Sequence, residues 1–370
     1  MRFISIALPA LLLIPIAVYL HRYFLRMAET LLPDAGERER RLIALLPAIL
    51  AGLTAFDVWG IGVIIVLHLF CFALLGDLIR ALAVRLRRNR RRPRPEMPET
   101  LWRSGLIPAL CTALVLICGF VNFGRIVETR YTVTTDKPLP AGGCRVAMVS
   151  DLHAGTGDLG TLERAAARIA AAKPDLLVLC GDLVDERTTA AEMRRAVAAL
   201  GAVNAPLGTY FVYGNHDVGQ YYDGLKFTAA QFEEELGTAG IRILADGTAR
   251  PAPWLTLVGR RDASDRSRLS AAALTAGAEG FVLMLDHQPG DFAADRAAGV
   301  DLLLSGHTHA GQIWPGGLFI DLFGRDTYSY GLRRFGPLTA IVSSGIAGWG
   351  YPVRTEKHSE YVLIDLRNPS

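Results

Sequence analysis

The reactive side chains of this 370-residue chain cluster at the ends of apolar runs. "LSGHTH" places His307 and His309 at a spacing of two. "VSDLHAG" gives Asp151 and His153, and "LCGDLVD" gives Asp182 and Asp185. "VYGNHD" gives Asn215, His216 and Asp217, and "MLDHQP" gives Asp286 and His287. Five of the eight histidines fall in these segments; His21, His68 and His358 do not. Imidazole and carboxylate together suit borderline divalent metals such as Mn, Fe or Zn. A carboxylate such as Asp182 can bridge two ions, and two ions about 3.5–4 Å apart polarise a phosphoryl group and activate a water. His307 and His309 can serve neighbouring ions. Glycines before Asp182, Asn215 and His307 permit the tight turns that a crowded site needs.

These groups need a scaffold that gathers them. "RVAMVS", "DLLVLCGD", "GTYFVYGNHD", "FVLMLDH", "DLLLSGH", "LTAIVSSG" and "EYVLIDL" contain short, continuous apolar runs, which predict strands buried on both faces. "TLERAAARIAAA" and "TTAAEMRRAVAALG" read as helices, so the pattern is α/β layering. Ligand sites in such sheets gather at the carboxyl ends of strands, so groups spread over roughly 160 residues are expected to converge.

The first third is different in kind. A bilayer-spanning helix needs about 20 apolar residues. Four spans are expected, at 3–20, 42–56, 61–79 and 105–124, within a membrane region covering 1–130. The catalytic domain is expected over 131–370. Reading 1–20 as a signal peptide is disfavoured by the lack of a small-x-small cleavage site. Asp77 and Arg80, three apart, are expected to form a local helical pair. Segment 80–103 carries nine arginines and 21–41 carries five, while the loop between the second and third spans has none. Arginine-rich loops stay cytoplasmic, so the chain is expected to be integral to the cell membrane with its catalytic domain extracytoplasmic. The net charge is only +3. No basic groove interleaved with aromatics appears in 143–370, so no nucleic-acid partner is expected. The five cysteines show no disulfide or zinc-knuckle spacing and are expected to be buried thiols.

The ordered blocks D-x-H, G-D-x-x-D, G-N-H-D, H and G-H-x-H over about 143–367 resemble the calcineurin-like metallophosphoesterases. "GHTHAGQIWP" and "GWGYPVR" resemble the membrane-associated YaeI/YkuE-like branch. The resemblance implies a four-layer α/β/β/α sandwich with a binuclear site. It assigns one ion to Asp151, His153, Asp182 and His309, and the other to Asp182, Asn215, His287 and His307. His216 would contact the phosphate and protonate the leaving alkoxide. A carboxylate would orient His216, and Asp185 is favoured over Asp217 for that task. Arg260, Arg261 and Arg354 are weaker candidates for binding substrate phosphate.

The expected function is therefore a metal-dependent phosphoric ester hydrolase with two divalent ions, acting as a phosphodiesterase or pyrophosphatase. A lipid-linked phosphate is an attractive substrate because the chain is anchored in a bilayer. The competing readings are a non-catalytic metal-binding membrane scaffold and a nuclease.

Overall fold

The computed structural model describes residues 2–54, 57, 60–88, 99–219 and 224–369; for residues 2–13, 87, 88 and 99 it describes the helical backbone alone. Two compact units divide the chain, Met1–Cys118 and Gly119–Ser370.

The first unit contains α1 (Arg2–Leu31), α2 (Glu37–Leu53), α3 (Ile61–Arg88), α4 (Glu99–Arg103) and most of α5 (Leu106–Gly124). Among the described residues, two helices are long and apolar enough to cross a membrane, Ile61–Leu86 and Leu106–Gly124. The spans expected at 61–79 and 105–124 fall within these two helices. In α2, Glu37, Arg38, Glu39, Arg40 and Arg41 fill the first five of 17 positions. The apolar remainder reaches about 18 Å, short of a hydrocarbon core of about 30 Å. The expected span 42–56 also includes residues 55 and 56, which lie outside the described residues. The span expected at 3–20 falls largely on residues whose side chains are not described. α3 runs to Arg88 rather than stopping at residue 79. Residues 89–98 of the arginine-rich segment lie outside the described residues. Asp77 bonds across helices: it accepts from Arg26 at 2.8 and 3.0 Å and from the Tyr19 hydroxyl at 2.7 Å.

The second unit holds two six-stranded sheets. The first contains β1 (Ile126–Thr134), β2 (Cys144–Val149), β3 (Leu176–Cys180), β4 (Thr209–Val212), β5 (Ile241–Ile243) and β12 (Ser359–Arg367), ordered β1-β12-β2-β3-β4-β5. The second contains β6 (Gly247–Ala252), β7 (Leu255–Gly259), β8 (Phe281–Leu285), β9 (Leu302–Ser305), β10 (Gly331–Phe335) and β11 (Leu338–Val342), ordered β10-β11-β9-β8-β7-β6. The boundary expected at 130/131 falls inside β1, which pairs in parallel with β12 over its whole length. β2 to β5 are parallel, as are β7, β8, β9 and β11.

Alternation along each strand feeds separate cores. In β3, Leu177 and Leu179 pack with Leu162, Ile169, Val197 and Phe232 under the helices α6 (Leu159–Ala171), α7 (Ala190–Gly201) and α8 (Ala229–Thr238). Leu176, Val178 and Cys180 point the other way, against Leu257, Leu283 and Leu304 of the second sheet. On the far side of that sheet, Val282, Met284 and Leu303 pack with Leu274 of α9 (Ala271–Thr275) and Phe292 of α10 (Phe292–Ala297). Helices, sheet, sheet and helices thus form four layers. Strands between two apolar layers have no wet face, which explains the unbroken apolar runs. Cys144 and Cys180 are buried, whereas Cys118 is exposed, contrary to the burial expected of all five.

Helix starts are fixed close to the strand exits. Asp158 caps α6 by accepting from the Gly160 and Thr161 N–H groups at 3.2 and 2.9 Å. Thr189 and Glu192 form a reciprocal capping box at the start of α7.

Candidate metal centre

The carboxyl ends of β2, β3 and β4 in one sheet and of β8 and β9 in the other deliver Asp151, Asp182, Asn215, His287 and His307 to a common place. The loops are laced together by backbone bonds. The Leu152 and His153 N–H groups donate to Asp182 O at 2.8 and 3.0 Å, and Gly306 N donates to His287 O at 3.0 Å. Five of the site residues adopt left-handed backbone: Asp151 (φ 52°), His153 (43°), Asp182 (52°), His307 (69°) and His309 (49°). Each such non-glycine residue stores on the order of 1–3 kcal/mol, and strain of this kind collects at functional sites. The neighbouring glycines answer a question of space. A Cβ on Gly214 would lie 2.2 Å from Asp182 Oδ1, and one on Gly306 would lie 2.2 Å from Asp151 Oδ2.

Two groups of potential ligands result, Asp151–His153–His309 and Asp182–His287–His307. Asp182 belongs to the second group and also approaches His153 of the first. Its Oδ2 lies 3.1 Å from His287 Nε2 and 3.7 Å from His153 Nε2, while its Oδ1 accepts from His216 N at 2.9 Å. Burial pushes the Asp182 carboxyl up, but His287, His153 and His216 outweigh that effect and hold it below the usual carboxylate range. His287 Nδ1 sits 2.8 Å from Cys180 O and donates to it, which leaves the Nε2 lone pair facing inward. That lone pair is 3.1 Å from Asn215 Oδ1. The Nε2 atoms of His153 and His309 are 3.3 Å apart, and His309 Nε2 is 3.6 Å from Asp151 Oδ1. Asp151 Oδ2 is buried without a hydrogen-bond partner. Lone pairs facing one another in a buried site repel unless cations lie among them. The donor set is nitrogen and oxygen, so these residues fit two divalent ions.

His216 stands beside this cluster, its ring 5.0 Å from that of His153 and 5.1 Å from that of Trp349. Its Nδ1 lies 3.1 Å from Glu186 Oε2. Burial lowers the His216 pKa, and the Glu186 hydrogen bond with the charges of Asp182, Glu186 and Asp185 raises it further than burial lowers it. The carboxylate expected to orient His216 was Asp185, with Asp217 as its rival; the structure corrects both. Asp185 Oδ2 is 3.5 Å from His153 Nδ1. Asp217 accepts from the backbone N–H groups of Asp182, Leu183, Val184 and Gly214 at 2.7 to 3.0 Å. Glu186 follows Asp185 directly, and only the direction of the loop after β3 separates their targets.

Two of the three candidate phosphate-binding arginines are committed elsewhere. Arg260 is buried and paired with Asp286 at 2.9 Å and Asp295 at 3.6 Å. Arg354 is fully buried and donates to the carbonyls of Ala347, Ser344, His309 and Lys357. It therefore fixes backbone, including that of a candidate ligand. Arg261 is half exposed, pairs with Asp265 at 3.2 Å, and lines a cleft of about 560 Å³ with Tyr213 and Val218. Gln312 was not foreseen. Its amide bonds Trp349 N and the carbonyls of Trp349, Tyr351 and Val353, which sets the loop that carries Trp349 toward His216.

Comparison with known proteins agrees with this geometry. Residues 144–311 match the calcineurin-like phosphoesterase family. A transmembrane protein with metallophosphoesterase domain from Danio rerio is 29% identical over 336 residues, which cover 85% of this chain and 73% of that protein. The uncharacterized metallophosphoesterase YkuE of Bacillus subtilis is 28% identical over 293 residues, 74% of this chain and 99% of the relative. An uncharacterized metallophosphoesterase of Aquifex aeolicus is 31% identical over 252 residues, 64% of this chain and 90% of the relative. Family members typically bind two divalent metals, and both ligand groups are present here. The chain belongs to the calcineurin-like metallophosphoesterases and is a phosphoesterase hydrolase.

Proposed function

We propose that this protein is a membrane-anchored phosphodiesterase or pyrophosphatase with a binuclear centre. Asp151, His153, Asp182 and His309 would hold one ion, and Asp182, Asn215, His287 and His307 would hold the other. The observation that carries the reading is Asp182 Oδ2, within 3.1 Å of His287 Nε2 and 3.7 Å of His153 Nε2, a carboxylate oxygen facing a nitrogen of each group. When bound, the two ions polarise the phosphoryl oxygens and lower the pKa of the attacking water. His216, held by Glu186, donates a proton to the leaving oxygen. Asp185 orients the His153 ring so that Nε2 faces its ion. Arg261 is the remaining arginine candidate for a distal phosphate.

A lipid-linked phosphate suits this site. An apolar cleft of about 270 Å³ is lined by Phe123 from the last turn of α5 and by Leu152, Ala154, Leu159 and Ile346 around the loop that follows His153. We further infer that the catalytic unit is extracytoplasmic. The nine arginines of 80–103 immediately precede α5, so the N-terminal end of α5 is retained inside and its C-terminal end emerges outside.

The test is turnover of bis-p-nitrophenyl phosphate against p-nitrophenyl phosphate by the full chain in detergent with Mn²⁺. The diester should be preferred, with activity lost in Asn215→Ala and His216→Ala. Preference for the monoester would replace the diesterase reading, and silence on both esters with two ions bound would reject it.

A further inference from the structure

The helix α11 (Gly316–Phe323) turns an apolar side outward. Leu318, Phe319, Leu322 and Phe323 are 51%, 55%, 64% and 72% exposed, and the Phe319 and Phe323 rings stack 5.9 Å apart. Residues at these spacings share one helix face, so the four form a continuous patch of a kind that soluble surfaces seldom leave open.

The fold itself says what covers this patch. One short segment, Arg354 to Glu356, joins the last turns of α5 to the start of α11. Arg354 N donates to Gly119 O at 3.1 Å, and Asn122 Nδ2 donates to Arg354 O at 3.3 Å. Thr355 Oγ1 then accepts from Trp314 N at 2.9 Å, and Glu356 Oε2 accepts from Gly317 N at 2.8 Å. α5 has the length and apolarity to cross a bilayer, and it ends at Gly124. The patch is therefore held next to the point where the chain leaves the membrane. Phe120 and Val121 of α5 are exposed there as well. Arg325, Arg333 and Arg334 are exposed beside α11; of the nearby acids, Asp321 is paired with Arg333 at 3.2 Å and Asp326 is exposed next to Arg325. An apolar helix face with flanking arginines is what the interface of a bilayer binds.

We propose that α11 lies in the headgroup zone of the membrane that α5 crosses, with Leu318, Phe319, Leu322 and Phe323 among the acyl chains. Arg354 also donates to His309 O at 3.0 Å, so the segment that seats α11 holds the metal-binding loop. Docking thereby sets the centre at headgroup level, where it acts on a phosphate ester embedded in the leaflet. This consequence rests on the hydrolase reading above; the docking itself does not.

The full chain is reconstituted into vesicles of phosphatidylcholine and phosphatidylglycerol in equal parts, with a diazirine amino acid in place of Leu322. Irradiation should yield a lipid adduct on the α11 peptide by mass spectrometry. An adduct to a second copy, to another segment of the chain, or to water alone overturns the docking. A second variant, Leu322→Glu with Phe323→Glu, separates docking from chemistry. It should keep wild-type turnover of bis-p-nitrophenyl phosphate in detergent. On a p-nitrophenyl phosphodiester of diacylglycerol held in the vesicles, it should fall by roughly tenfold or more. Equal rates on the embedded ester, or no turnover of it by the unsubstituted chain, overturn the headgroup-level assignment. Silence of the unsubstituted chain on the soluble ester would instead count against the hydrolase reading, and the lipid adduct would still decide the docking.

Discussion

Glu186 holds His216: its Oε2 lies 3.1 Å from Nδ1, with both side chains buried. A buried carboxylate at this distance fixes the ring and stabilises the imidazolium that a proton donor requires. Glu186→Gln keeps the shape and removes the charge. Its kcat on the diester should fall by about 10²-fold, in the range of a general-acid contribution, with KM nearly unchanged. The decisive comparison is the double variant with His216→Ala. Residues acting as one unit are non-additive, so Glu186→Gln should add almost nothing to the loss already caused by His216→Ala. A full multiplicative loss would mean that Glu186 acts elsewhere.

Asp185 differs from Glu186 by one position and by target. With Oδ2 at 3.5 Å from His153 Nδ1, it supports a candidate ligand rather than the proton donor. Asp185→Asn should weaken metal affinity by about 10–100-fold, the usual effect of losing a carboxylate behind a ligating histidine. Titration of Mn²⁺ into metal-free protein reads this directly. At saturating Mn²⁺ much of the turnover should return, which would not happen for Glu186→Gln.

That pair marks the limit of what the sequence discloses. That the candidate ligands would converge was legible because they follow apolar strands that cannot be mistaken for surface, and because strand ends converge in parallel sheets. The identity of the carboxylate behind His216 was not. Asp185, Glu186 and Asp217 lie close in sequence to the site, and the choice depends on a loop direction that no periodicity encodes. Arg260 and Arg354 misled for a related reason. Arginine suits phosphate, but it equally suits buried carboxylates and stacked carbonyls, and only burial separates these uses. The span expected at 42–56 rested on apolar composition, whereas the apolar part of α2 is shorter than a bilayer core.

Gly306 offers a test of the close packing around Asp151. A Cβ there would sit 2.2 Å from Asp151 Oδ2 and 2.8 Å from the Ser150 side chain. Asp151 is fully buried and its Oδ1 accepts from His307 N at 2.8 Å, so it can make room only by giving up its position in the site. Gly306→Ala should displace the Asp151 carboxylate and remove one of the two ions. Elemental analysis after exhaustive dialysis should count one ion per chain in the variant against two in the parent. An unchanged count would show that the site relaxes more than its packing implies.

Asp217 tests the scaffold under the site. Its carboxylate accepts four backbone N–H bonds that hold the turn carrying Asp182. Asp217→Asn turns one acceptor oxygen into a donor that meets N–H groups. Losing such charge-assisted bonds in a buried position should destabilise the catalytic unit by about 2–4 kcal/mol. Thermal unfolding in detergent measures this, and a variant within about 0.5 kcal/mol of the parent would contradict the role, since that is the range of neutral surface changes.

Asp295 gives the chain a pH dependence away from the metal centre. Its carboxyl is raised to about 7: burial is the largest cause, Arg260 at 3.6 Å opposes it, and Asp286 and Asp291 add to it. Neither carboxyl oxygen has a hydrogen-bond partner. The folded state therefore holds this proton at pH values where the unfolded state has lost it. Between about pH 4 and 7 the native form binds more protons, so stability falls as pH rises through that window. Asp295→Asn carries no such proton. Relative to the parent it should gain stability between pH 5 and pH 8, up to about 2.6 kcal/mol, because about two pKa units lie between pH 5 and the folded value. The check is the difference in melting temperature between variant and parent at the two pH values. If that difference does not grow with pH, Asp295 is ionised throughout and Arg260 satisfies it.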